Sequence, residues 1–175
     1  MPADLEYESN TSMSALFNLL PEAVTTEAGG DKHAVLTRLA GVFARVYGLD
    51  QTLVLERIVE REQLGSTGFG RNVAIPHARI AGLSRPVAAV IRLDTAIEFD
   101  SADGMPVDLV FGLLSPDGAG ATHLHALASI SRLMRDERMH TALIAAPSRA
   151  LTAVPLTSTL PNAGTRYPCR SAPRP

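Results

Sequence analysis

Five histidines, His33, His77, His123, His125 and His140, are the side chains of this 175-residue sequence whose charge changes near neutral pH. A neutral imidazole can serve as nucleophile, general base or metal ligand, but a single histidine is by default a surface or satisfied core residue, so position has to separate the five. His77 ends the apolar run Val73-Ala74-Ile75-Pro76, read as a short strand stopped by its proline. The segment Gly65-Ser66-Thr67-Gly68-Phe69-Gly70 precedes it, a glycine-rich loop suited to turning the backbone close to a ligand. The ring is therefore expected at a strand rim, where α/β folds tend to place reactive groups. His33 and His140 carry no such context and are read as surface residues.

His123 follows Thr122, a good N-cap, and is expected as the first residue of a helix, where free amides and the positive end of the dipole favour an anion. His125 then points about 200° around the same helix, so the two rings cannot easily share one ligand. A zinc site built on His77, His123 and His125 also lacks a nearby carboxylate or cysteine, and the expectation is no metal and no cofactor. The glycine loop lacks the Lys-Ser/Thr that closes a nucleotide-binding loop and follows a helix rather than a strand. Ser66 has no Gly-x-Ser-x-Gly setting, which argues against a serine hydrolase.

The elements that must hold these residues are legible from capping and periodicity. Asp31 caps a helix whose Val35, Leu36, Leu39, Val42, Phe43 and Val46 recur at three-to-four spacing, and Gly48 ends it. Asp50 caps a second helix with Leu53, Val54 and Ile58 inward, ending at Gly65. Pro86 to Leu93 and Pro106 to Leu114 are strand-length, β-branched-rich runs; they should pair across the reversal at Asp100 to Gly104, with Ala96 to Phe99 in the hairpin. A third helix from Thr122 presents Leu124, Leu127, Ala128, Ile130 and Met134 as its apolar face, and after a break near Asp136 a short helix runs through Ile144. The expected fold is a single α/β domain over residues 14–146, a mixed sheet flanked by helices. Residues 1–13, acidic and without an apolar cluster, read as a mobile lead-in. Residues 147–175, with six of the 12 prolines, four arginines and no acidic residue, read as an unstructured tail.

At 46% hydrophobic and 19% charged residues the chain can bury a core, which excludes a disordered protein. A net charge of -2 provides no field for nucleic acid or an anionic membrane, and no apolar run has the length of a membrane span. Cys169 alone cannot form an intrachain disulfide, consistent with a reducing compartment. These features predict a cytoplasmic protein with no nucleic-acid partner and no membrane insertion.

The run from Leu55 to Arg79, which includes Arg61-Glu62-Gln63-Leu64-Gly65-Ser66-Thr67-Gly68 and Val73-Ala74-Ile75-Pro76-His77-Ala78-Arg79, resembles the signature of the fructose/mannitol class of enzyme IIA domains of the bacterial phosphoenolpyruvate-dependent phosphotransferase system. Phe99-Asp100, Pro106 to Phe111 and Thr122-His123-Leu124-His125-Ala126-Leu127 extend the resemblance, which is strongest to the nitrogen-regulatory branch. The resemblance implies a phosphotransferase that works mainly as a phosphoryl carrier: His77 is phosphorylated by a phosphohistidine carrier protein, Arg61 offers a fork of donors to the phosphoryl oxygens, and His123 supports the phosphorylated ring. Ser66, Thr67 and Gly68 could donate to the phosphate or simply shape the turn. His125 matches the regulatory pattern without a catalytic role. Three outputs remain open: regulation of protein targets by phosphorylation state, passage of phosphate to a separate IIB domain for fructose or hexitol uptake, or a binding module on the same fold that no longer transfers phosphate. Family members continue past the equivalent of Ala146 into an acidic, leucine-bearing helix, which the proline-rich residues of this chain cannot supply.

Overall fold

The computed structural model describes residues 16–145; the expected lead-in, the tail and the limits of the expected domain at Ser14 and Ala146 lie outside them. Helix α1, Lys32–Tyr47, starts where the Asp31 carboxylate accepts from the Ala34 amide and stops at Gly48, whose φ of 69° is the left-handed conformation that terminates helices. Helix α2, Gln51–Gln63, is capped in the same way by Asp50, which accepts from Leu53 N at 2.8 Å. Both helices match the expectation because capping is a local property of a few neighbouring residues.

Six strands form one mixed sheet: β1 Val24–Glu27, β2 Gly68–Gly70, β3 Val73–Ala74, β4 His77–Ile80, β5 Val87–Ile97 and β6 Val107–Pro116. Strands β5 and β6 form the expected antiparallel pair, β1 lies parallel to β5, and β3 and β4 follow one another in parallel along β6. The sheet lies between two helical layers. On one face α1 and α2 pack Val35, Leu39, Phe43, Val54 and Ile58 against Ala89, Ile91, Val110 and Leu114. On the other, α3, Gly120–Met134, and α4, Glu137–Ala145, pack Ile130, Met134 and Leu143 against Val90, Leu109, Phe111 and Leu113. Successive residues of β6 serve opposite cores, as the two-residue period of a strand requires.

The structure departs from the sequence expectation at four places that matter for the site. The glycine-rich segment is not wholly loop: Gly68–Gly70 is strand β2, antiparallel to β3. Pro76 does not end the strand run. It costs the β6 ladder one N–H, but its carbonyl still accepts from Leu113 N at 3.0 Å, so pairing resumes at His77. Helix α3 begins at Gly120 rather than after Thr122, with Ala119 at the cap position and no side-chain cap bond. Its inward face is correspondingly rotated, burying His123, Ala126, Ser129, Ile130, Leu133 and Met134 and leaving Leu124 62% exposed. Finally, His33 is exposed as expected, but His140 is half-buried, with Nε2 2.9 Å from Asp108 Oδ1, and ties α4 to β6.

Close packing explains one of the glycines. A Cβ on Gly68 would stand 2.7 Å from both Cα and Oγ of Ser101, which belongs to the reversal joining β5 and β6. Gly68→Ala is expected to destabilise the fold by about 1–3 kcal/mol, as overpacking of a well-packed site does, read as a lower urea midpoint at unchanged slope.

Candidate functional site

His77 opens β4, which among the described residues pairs only with β6, so its ring stands at a margin of the sheet. Nδ1 lies 2.8 Å from the carbonyl oxygen of Ile75. A carbonyl can only accept, so Nδ1 carries the proton and Nε2 carries the lone pair. Arg61, in the last turn of α2, donates from Nε to that Nε2 at 3.0 Å, and from Nη1 to the Gly65 carbonyl at 3.0 Å. Burial holds the His77 pKa below its ordinary value; the bond to Ile75 works against this and the Arg61 charge works with it. The result is a neutral ring of defined tautomer whose lone-pair nitrogen faces a guanidinium.

The second ring comes from the other helical layer. His123 is buried on α3, its centroid 5.6 Å from that of His77, with Nδ1 paired to Ser115 Oγ at 2.8 Å. Its own amide already donates to Ala119 O at 2.7 Å, so its contribution is made by the ring rather than by a free amide at the helix start. Burial, together with the charges of His77, Arg79 and Arg61, lowers its pKa from 6.5 to about 4. His125 is exposed on the opposite side of the helix, as the spacing predicts.

Arg61, His77 and His123 thus meet in one open cleft of about 780 Å³, together with Arg57, Arg79, Asp117 and the leucines Leu64, Leu124 and Leu127. The structure does not bring Ser66, Thr67 and Gly68 into that lining. Ser66 Oγ donates to Phe99 O at 2.6 Å and accepts from Gly68 N at 3.0 Å. Thr67 is held by Glu62, whose buried carboxylate accepts from both its amide and its hydroxyl and pairs with Lys32 Nζ at 2.7 Å. These three residues shape the turn that presents Gly65 O to Arg61. The sequence reading overlooked Glu62 and Arg79. Strand alternation from His77 would have found Arg79; the role of Glu62 depends on Lys32, distant in sequence, and leaves no local signal.

Residues 19–152 match the family described as "Phosphoenolpyruvate-dependent sugar phosphotransferase system, EIIA 2". The chain belongs to that family. Among the proteins the chain is similar to, a nitrogen regulatory protein of Pseudomonas aeruginosa is 42% identical over 121 residues, 69% of this chain and 79% of that protein. One from Bradyrhizobium diazoefficiens is 46% identical over 118 residues, 67% of this chain and 77% of that protein. The crystal structure of nitrogen regulatory protein IIA-Ntr from Neisseria meningitidis superposes with a TM-score of 0.74 at 32% identity, covering 79% of this chain and 96% of that one. Among the described residues no helix is long and apolar enough to cross a membrane, and no cluster of three His, Cys, Asp or Glu side chains is placed to hold a metal ion.

The depressed His123 pKa has a thermodynamic consequence. Unfolded, the residue takes up a proton near pH 6.5; folded, it does so only near pH 4, so between these values the unfolded state binds more protons and stability falls as pH falls. The urea midpoint is expected to drop from pH 7 to pH 5, and His123→Gln should flatten that dependence.

Proposed function

We propose that His77 accepts a phosphoryl group on Nε2 from the phosphohistidine of a carrier protein, and that the phosphorylated and unphosphorylated forms differ in their binding to regulatory protein partners. In the transfer the P–N bond of the donor breaks with its electron pair returning to the donor imidazole, and the Nε2 lone pair of His77 forms the new P–N bond. The observation that carries this reading is the ring's hydrogen bonding. With Nδ1–H on the Ile75 carbonyl, the lone pair is at Nε2, in the cleft, next to the guanidinium of Arg61. Phosphoryl transfer through a loose transition state asks the protein mainly to align donor and acceptor and to meet charge on the equatorial oxygens. The Arg61 guanidinium beside Nε2 supports the second task, once it turns from the nitrogen to the oxygens, and His123, neutral and within ring contact, supports the acceptor without adding a competing charge.

The regulatory output is supported by relatives that bear the name nitrogen regulatory protein at 42% and 46% identity. The cleft's rim also suits a protein partner: Leu64 is 85% exposed and Leu124 62% exposed, and both line the cleft that contains His77. A phosphoryl group would bring about -1.5 to -2 of charge onto that apolar rim, judging from hydroxyl esters, enough to change which partner can desolvate it. Cytoplasmic location, where the donor proteins work, belongs to the same proposal.

The test is intact mass after incubation with phosphoenolpyruvate, enzyme I and the phosphohistidine carrier protein. One acid-labile phosphoryl group per chain is expected, with none on His77→Ala. A folded parent chain that stays unmodified by active donors would overturn the carrier reading in favour of a binding module.

A further inference from the structure

The cleft contains a cation that the proposal above leaves without a task. Arg79 follows His77 by two residues on β4, so strand alternation puts the two side chains on one face while Ala78 and Ile80 are buried on the other. The register sets Arg79 beside Ser115 of β6, and Ser115 supplies the hydroxyl paired with His123 Nδ1. Arg79 lines the same cleft as His77 and His123, and its charge is one of those that hold the His123 ring neutral. The other arginines of the cleft are engaged: Arg57 with Glu60 at 3.1 Å, and Arg61 with His77 and Gly65 O. The Arg79 side chain makes no hydrogen bond or ion pair with the described residues.

The chemistry at Nε2 creates a demand that Arg61 alone meets imperfectly. The lone pair that accepts the Arg61 Nε–H is the one that must bond phosphorus, so this hydrogen bond breaks during transfer and Arg61 has to turn from nitrogen to oxygen. An uncommitted guanidinium on the acceptor's own strand can meet phosphoryl oxygens without first giving up a partner, and its planar fork suits bidentate contact.

We propose that Arg79 is a second phosphoryl-binding residue, which contacts the non-bridging oxygens of the group as it arrives at His77 Nε2 and holds them afterwards. The inference rests on His77 being the acceptor. The test compares the parent chain with Arg79→Gln and Arg79→Lys, using phosphoenolpyruvate, enzyme I and the phosphohistidine carrier protein as phosphoryl source. Arg79→Gln is expected to accept one phosphoryl group per chain with kcat reduced about 10- to 100-fold, the range for losing a charge-assisted hydrogen bond, and Arg79→Lys to recover part of the loss. The phosphorus NMR signal of the phosphorylated chain should titrate at higher pH in Arg79→Gln, because a nearby cation favours the dianionic phosphoryl form. A merely structural role would not move that titration. Parent-like kcat and titration in Arg79→Gln would overturn the inference, as would a raised KM for the donor with both unchanged, which would assign Arg79 to docking. An unphosphorylated parent would instead overturn the acceptor assignment itself, a result distinguishable from failure of Arg79 alone.

Discussion

The arrangement depends on the orientation of one imidazole. His77 donates from Nδ1 to a backbone carbonyl and accepts at Nε2 from Arg61, so its tautomer and ring plane are set by two bonds that point in opposite directions, while burial favours its neutral state. Each has its own support. The carbonyl belongs to Ile75, buried in the core between the sheet and α3. The guanidinium is held a second time by Gly65 O, in a turn whose Thr67 is tied to the buried Glu62 and, through it, to Lys32 on α1. A buried carboxylate is costly unless fully satisfied, and Glu62 has an amide, a hydroxyl and an ammonium on it.

The fold brings this about by convergence of layers. Arg61 arrives from the helical layer on one face of the sheet, His123 from the layer on the other, and His77 from the margin between them. The three lie far apart in the sequence and meet only through the assembled sheet. The same convergence explains why the cleft is open and rimmed by Leu64 and Leu124, one from the end of α2 and one from the first turns of α3.

Much of this was readable in the residues, and the failures follow a physical pattern. The ends of α1 and α2 were legible because Asp31, Asp50 and Gly48 act on their nearest neighbours. The β5–β6 pair was legible from its β-branched runs and the reversal between them. The rotation of α3 was not, because burying His123 in place of Leu124 requires Ser115, eight residues back on a strand, to satisfy the ring. The strand character of Gly68–Gly70 was hidden for a related reason: three residues rich in glycine have no strand propensity, and only pairing with β3 and close approach to Ser101 give them one. Arg61, His77 and His123 were found by resemblance of motif, and they do converge. Ser66, Thr67 and Gly68 belong to the same motif but do not line the cleft, and their polar groups are bonded to Phe99, Glu62 and one another.

The break at Ile75-Pro76 ties the choice of tautomer to the margin of the sheet. An exposed sheet edge is an invitation to pair with a strand from another chain, because its amides and carbonyls lack partners. Here the Ile75 amide is already bound to Thr67 O, and the Ile75 carbonyl is occupied by the histidine. A foreign strand seeking to dock at this point would have to take that carbonyl from His77, so the bond that fixes the tautomer of the ring also opposes strand pairing here.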